Sequence, residues 1–306
     1  MTRTVVFTVA AEQAGQRLDK VLTTRVPGVG RRQARRLFEA GAVRIAGRRV
    51  GKATPARAGE QVTVQLGEPE RAVPEPEAPL RVCLETAELV VVDKPAGQPT
   101  AALSATDRGS LASALVAHYP EMAAVGYDPR EPGLLHRLDT LTSGLLLAAR
   151  SQPVFERLRR GQAADRLLKR YLAVVAGGPL DARGVVTLPL AHHPTDPRRV
   201  IACDAHRAAR GACRAATHYQ VLRRSSHRAL LQVELSRAFR HQVRVHLAAL
   251  GCPIVGDRVY GSAPCRALGN RHALHASRLE WSGNTQLAAF AVESPLPAEL
   301  EALLAE

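Results

Sequence analysis

No run in this chain approaches the ~18–20 consecutive apolar residues of a membrane span, although apolar residues make up 46% of it, enough for a sizeable core. The amino terminus offers only a short apolar segment, with Val5, Val6, Phe7, Val9 and Ala10, before Glu12. That is too short and too interrupted for a secretory signal, so a soluble, cytoplasmic protein is expected. Cysteine is sparse and odd in number: Cys83, Cys203, Cys213, Cys252 and Cys265, with no Cys-x-x-Cys pair. A disulfide framework and a cysteine zinc site are both disfavoured, and idle or buried thiols in a reducing compartment are the simplest reading. Other signatures fail on spacing. His241 and His246 are five apart, not the four that puts two ligands on one helical face. Gly51-Lys52 has Ala46 where a phosphate loop needs Gly and Ala53 where it needs Ser or Thr. His192, His193, Cys203, His206 and Cys213 are too irregularly spaced for a metal site. No cofactor or metal is implied. Neither a 20–50-residue repeat nor a strict strand–helix–strand rhythm is present, which favours an α+β fold over a doubly wound sheet.

Positive charge is abundant, with a formal net of +14, and arginine heavily outnumbers lysine. Residues 1–66 hold 13 Lys+Arg against 4 Asp+Glu, so +9 of the excess lies there. The charge then reverses. In residues 67–80, Pro69, Pro74, Pro76 and Pro79 alternate with Glu68, Glu70, Glu75 and Glu77. Repeated proline removes backbone donors and favours extended chain. The expected organisation is a basic domain over 1–66, a Pro/Glu linker over 67–80 and a larger domain over 81–306.

In the first domain, Leu18, Val21, Leu22 and Val26 recur at helical spacing. A second helix is predicted from Arg31 to Ala40, stopped at Gly41. Its Arg31, Arg32, Arg35 and Arg36 form a basic stripe suited to phosphate contacts, with a merely solvated charged face as the alternative. Val43 and Ile45, a turn at Ala46-Gly47 and Val50 predict a hairpin, and Val62, Val64 and Leu66 a last strand. In the second domain, strands are predicted at Leu89–Val92, Leu145–Ala149, Leu172–Ala176 and Leu230–Leu235. A helix is predicted over 240–250, with Arg240 and Arg244 sharing one face.

The most informative text is His136-Arg137-Leu138-Asp139-Thr140-Leu141-Thr142-Ser143-Gly144-Leu145-Leu146-Leu147. Read on its residues alone, it is turn-forming polar text that feeds an apolar strand. Asp139 is then a turn residue bonding nearby amides, and His136 a core or loop histidine. Tyr171 reads as core, and Arg240 and Arg244 as a surface pair.

As a pattern, His-Arg-Leu-Asp-x-x-Thr-Ser-Gly followed by three leucines resembles the signature of RluA-type RNA pseudouridine synthases. Asp93-Lys94-Pro95-Ala96-Gly97, Lys169-x-Tyr171-x-Ala173-x-Val175 and Thr217-x-Tyr219-x-Val221-Leu222 follow in family order. So do His241-Gln242-Val243-Arg244-Val245-His246-Leu247, Gly251-x-Pro253-Ile254-Val255-Gly256-Asp257, Leu274-His275-Ala276 and Ser294-Pro295-Leu296-Pro297. Residues 1–66 resemble the alpha-L, or S-four-type, RNA-binding domain through Gly15-Gln16-Arg17-Leu18-Asp19, the Arg31–Gly41 helix, Val43-Arg44-Ile45-Ala46-Gly47 and Gly59-Glu60. There are departures. Ala238-Phe239-Arg240 stands where the family usually has Gly-Arg-Thr, and Gln98-Pro99-Thr100 lacks a histidine often found there.

The resemblance implies a mostly antiparallel-sheet catalytic domain with a central cleft, and isomerisation of uridine in RNA. It implies Asp139 as nucleophile, Tyr171 packed against the target base and assisting proton removal from carbon 5, and Arg244 as charge partner of Asp139. Arg137 would fill the gap left by a flipped base, and Arg240 and His241 would contact RNA. The His193–Arg199 segment is read as a polar loop that grips RNA. Large-subunit ribosomal RNA is the expected substrate, with transfer RNA the alternative, and a monomer without membrane contact is expected. An inactive RNA-binding factor of the same fold and an Asp-dependent nucleosidase are the rival readings.

Overall fold

The computed structural model describes residues 3–27, 29–67, 71–102, 107–177, 181–196, 198–203, 212–261 and 263–305, with the backbone alone at 31 and 32. The chain divides into two compact units, Met1–Glu70 and Arg71–Glu306.

In the first unit, α1 (Leu18–Arg25) turns Leu18, Val21 and Leu22 inward. Helix α2 (Arg31–Glu39) adds Ala34, Leu37 and Phe38 to the same core. Strands β1 (Arg3–Thr8), β2 (Val43–Ile45), β3 (Arg48–Arg49) and β4 (Gln61–Leu66) form an antiparallel sheet in the order β1-β4-β2-β3. Ala46 and Gly47, at φ 48° and 78°, supply the two left-handed residues that a tight two-residue hairpin requires. Strand β4 alternates buried Val62 and Val64 with exposed Gln61 and Gln65, which seats the sheet on the helices.

The second unit is built on nine strands: β5 (Val82–Glu85), β6 (Leu89–Lys94), β7 (Ser143–Ala149), β8 (Leu167–Ala176), β9 (Arg183–Val186), β12 (Thr217–Arg224), β13 (Arg228–Leu235), β14 (Leu274–Trp281) and β15 (Phe290–Glu293). Their order is β5-β6-β7-β14-β8-β13-β12-β9, with β15 on β14, and β7–β14 is the parallel pair among antiparallel ones. A separate hairpin joins β10 (Leu190–His192) to β11 (Val200–Ala202). Strand β7 is buried on both faces. Leu146 and Ala148 face one core with α3 (Leu111–His118); Leu145, Leu147 and Ala149 face another with α4 (Gln152–Ala163) and Trp281. Cover on both faces is why this strand reads as an unbroken apolar run. At Gly144 (φ 113°) the β14 backbone comes so close that a Cβ would collide with the Ala276 carbonyl, so the motif's glycine is required sterically.

Two expectations change. Strand β8 begins at Leu167, not Leu172, because its first half alternates buried Lys169 and Tyr171 with half-exposed Arg170 and carries no apolar run. The Pro/Glu stretch is not free linker throughout. From Arg71 on it belongs to the second unit, where Ala72 N–H donates to Pro129 O, Glu75 N–H to Ser113 O, and Ala78 is buried. Three of its remaining backbone donors, those of Ala72, Glu75 and Ala78, find fixed acceptors. Among the described residues no helix is long and apolar enough to cross a membrane.

Candidate active site

Asp139 lies just before β7, at the first position of a turn closed by Thr142 N–H donating to Asp139 O at 3.0 Å. The backbone on both sides of it is pinned. Thr100 Oγ1 donates to Leu138 O at 2.7 Å and accepts from Leu138 N–H at 3.2 Å. On the other side, Thr140 O accepts from Gly97 N–H at 2.8 Å and from Lys94 Nζ at 3.1 Å. Lys94 is fully buried, and its ammonium also donates to Pro95 O and Gln98 O, so three carbonyls take its three protons. Burial draws its pKa down to about 7, opposed by the Asp139 charge. Beyond the turn, Thr142 Oγ1 lies 2.8 Å from His272 Nε2, and Ser143 Oγ lies 2.9 Å from His275 Nδ1. Thr142 and Ser143 are therefore anchors, while Asp139 stays partly open.

Across from it, α5 (Gln242–Ala249) carries Arg244. Its Nη1 donates to Asp139 Oδ2 at 2.6 Å, while Nε and Nη2 donate to both oxygens of Asp257 at 2.7 and 2.9 Å. The bidentate pair fixes the guanidinium plane. Side-chain exposure is 6% for Arg244 and 1% for Asp257 but 25% for Asp139, so the open member of the triad is Asp139. Burial opposes the Arg244 charge, but Asp257 and Asp139 together raise its pKa further. Burial likewise pushes the Asp139 carboxyl up, yet His241, Arg244 and His272 hold it below the usual carboxylate range. It is an anion at neutral pH.

Tyr171, in the middle of β8, is buried, and among the described residues its hydroxyl has no hydrogen-bond partner. Burial first, and the Asp139 charge second, push that hydroxyl above its ordinary range. Tyr260 stacks against Arg244, with the guanidinium carbon 5.1 Å from the ring centroid.

A partly exposed anion held by an enclosed arginine is a site for a nucleophilic or charge-stabilising carboxylate. A family model described as RNA pseudouridylate synthase matches residues 88–249, more than half of the chain. The chain belongs to that family. An S4 domain model matches residues 16–62. The chain is 38% identical over 305 residues to an uncharacterized RNA pseudouridine synthase of Chloroflexus aurantiacus, covering 98% of this chain and 92% of that protein. It is 33% identical over 310 residues to ribosomal large subunit pseudouridine synthase D of Nitrosomonas europaea, covering 98% and 87%. The fold matches human RNA pseudouridylate synthase domain containing 1, with TM-score 0.57 and 22% identity over 74% of this chain and 87% of that one. The chain is thus an RNA pseudouridine synthase of the RluA family with an N-terminal S4 domain.

In this pseudouridine synthase Arg244 contacts Asp139, and the Asp139 charge acts on Tyr171. His241, expected to contact RNA, has Nδ1 2.8 Å from the Tyr260 hydroxyl and Nε2 3.5 Å from Asp139 Oδ1. Arg240 is exposed beside α5, donating to Arg198 O at 3.0 Å, and Arg137 is exposed and paired with Glu131 at 2.5 Å. Arg35 and Arg36 are exposed on α2, with Arg35 paired to Glu39; the side chains of Arg31 and Arg32 lie outside the described residues. Sequence reasoning assigned no role to Thr100, Asp257, Tyr260 or Lys94. Asp257 and Lys94 stand inside motifs already quoted, and that placement is the signal that could have marked them.

Proposed function

We propose that the enzyme isomerises uridine in large-subunit ribosomal RNA, with Asp139 as its nucleophile, Arg244 as the cation that keeps Asp139 ionised, and Tyr171 as the surface that packs the target base. The observation that carries the Asp139 assignment is the Asp257–Arg244–Asp139 arrangement. The arginine is locked by one carboxylate so that its remaining donor meets the other. The reaction breaks the bond between N1 of the base and C1′ of the ribose, and joins C5 to C1′. C5 gives up its proton and N1 gains one, so composition is unchanged. Asp139 attacks as the carboxylate and leaves as the carboxylate, which calls for a group anionic in the resting enzyme. Tyr171 with its raised pKa is a neutral phenol at pH 7, suited to stacking and poorly suited to removing the C5 proton. The ribosomal assignment is supported by relatives named large subunit pseudouridine synthase D in Nitrosomonas europaea, Xanthomonas campestris and Neisseria meningitidis, each aligned over at least 95% of this chain.

The test is incubation of the purified protein with unmodified large-subunit ribosomal transcripts and, separately, with transfer RNA, followed by pseudouridine mapping. Modification of the ribosomal transcript at one or a few uridines is expected. Efficient modification of transfer RNA alone would overturn the substrate and leave the enzyme class standing.

A further inference from the structure

We propose that His241 is a positioning residue for the nucleophile, held by Tyr260 and the Val200 backbone amide in the tautomer that points an N–H at Asp139 Oδ1. The proposal rests on the reading of Asp139 as nucleophile. It begins with backbone. His241 has φ 58° and ψ 12°, left-handed for a non-glycine residue, at the N-cap of α5. Among the described residues, Ala46 and Asp165 are the other non-glycine cases, and neither belongs to the site. Such a conformation persists where its surroundings impose it. Here it turns the imidazole back between Tyr260 and Asp139.

The hydrogen-bond partners assign the tautomer. Val200 N–H, at the start of β11, donates to the Tyr260 hydroxyl oxygen at 2.9 Å. The hydroxyl's own proton then has His241 Nδ1, 2.8 Å away, as its acceptor. At the far side of the ring, Nε2 faces Asp139 Oδ1 at 3.5 Å. A lone pair there would be repelled by the carboxylate, whereas an N–H is attracted. Both ends of the ring thus favour the form protonated at Nε2. Burial pulls the His241 pKa down to about 4; Asp139 and Asp257 work to raise it, Arg244 and Arg240 to lower it. The ring is neutral at pH 7, so it acts as a hydrogen-bond donor and not as half of an ion pair.

The two oxygens of Asp139 are thereby distinguished. Arg244 grips Oδ2 at 2.6 Å. Among the described residues Oδ1 has only the His241 N–H, at a distance too long for a full hydrogen bond in the free enzyme. Oδ1 is the oxygen with electron density to spare, and it is the attacking atom. His241 keeps the carboxylate plane turned so that Oδ1 stays toward the substrate while Oδ2 stays on the arginine.

The test is steady-state kinetics of the full chain on an unmodified ribosomal transcript. Tyr260→Phe keeps the ring beneath Arg244 but frees the His241 tautomer. We expect kcat to fall about tenfold with KM within about twofold, the worth of one misdirected hydrogen bond at a charged group. His241→Ala should cost at least as much and move the acidic limb of kcat to higher pH. His241→Gln, which can place an amide N–H near Oδ1, should recover part of the loss. Combining His241→Ala with Tyr260→Phe should fall no further than His241→Ala alone, because the tyrosine acts through the histidine. Losses that multiply, or a rise in KM with kcat unchanged, would overturn the proposal, the latter by making His241 an RNA contact. Asp139→Asn is assayed alongside. Product from it would remove the nucleophile reading itself, whereas an inactive Asp139→Asn with multiplying losses at His241 and Tyr260 would remove only the positioning role.

Discussion

Charge is carried in opposite ways in the two units. At the Asp139 site Asp257, Arg244 and Asp139 are joined at 2.6–2.9 Å, with Arg244 and Asp257 enclosed by the protein. On α2, Arg35 and Glu39 are paired at 2.7 Å but are 67% and 56% exposed. Buried charges are costly to strand, so removing one member of the Asp257–Arg244–Asp139 set leaves the others uncompensated. Exposed charges are screened, and they act as a sum. Substitutions in the first set should therefore be severe and specific, and those in the second graded and general.

The sharpest break is Asp139→Asn. Asparagine keeps the shape and loses the anion. Turnover is expected to fall by on the order of 10³-fold or more, with filter binding of RNA largely retained, since phosphate contacts dominate affinity. Appreciable product would end the assignment. Next is Arg244→Leu, which leaves Asp257 and Asp139 without their cation. Activity should drop by two or more orders of magnitude and stability by on the order of 3–5 kcal/mol, read by denaturant titration. The pH dependence has a definite sign. Asp139 and Asp257 have lowered pKa values in the folded state. They contribute stability that is full above the ordinary carboxylate range and is lost as pH falls through the lowered values. Without Arg244 that contribution disappears, so the stability gap between parent and variant should narrow toward acid. The acidic limb of kcat should move to higher pH, and an unmoved limb would count against the pair. Smaller again is Thr100→Val, which keeps volume but removes both hydrogen bonds to Leu138. About 1–2 kcal/mol of stability is expected to go, with roughly tenfold in kcat if the pinned backbone is what aims Asp139. Equal kcat would mean that the turn holds its shape without Thr100.

The same contrast explains what could be read from the amino acids. Asp139 stood out because the letters around it form a dense motif, and the structure accounts for three of them: Thr142 and Ser143 bind His272 and His275, and Gly144 admits β14. Strand β7 was legible because cover on both faces leaves an uninterrupted apolar run. Strand β14 was not, because it includes buried His275 and half-buried Arg278 beside its leucines. The Arg244–Asp139 contact joins residues 105 positions apart. Helical spacing put Arg240 and Arg244 on one face and the resemblance named Arg244; in the fold Arg240 precedes α5 and turns to the Arg198 carbonyl. Thr100 and Tyr260 act through single hydroxyls, whose partners no local pattern reveals.

The smallest effect is expected on α2, and its form matters more than its size. Each arginine that meets a phosphate releases counterions, so the logarithm of affinity falls linearly with the logarithm of salt concentration. Replacing Arg35 and Arg36 together with Gln should make that slope shallower by about 0.7–0.9 for each phosphate no longer neutralised. The weakening should be uniform across RNA sequences, because phosphates carry no base identity. It should appear in KM at moderate salt and vanish from kcat at saturating RNA, since neither residue belongs to the Asp139 site. Glu39→Gln supplies the opposite arm. Its carboxylate occupies Arg35 Nε at 2.7 Å, so removing that competitor should tighten binding modestly at low salt. An identical slope in the parent and the double variant would mean that this face of α2 merely meets solvent, and the affinity of the S4 unit would then have to come from its other arginines, among them Arg44, Arg48 and Arg49 on the β2–β3 hairpin.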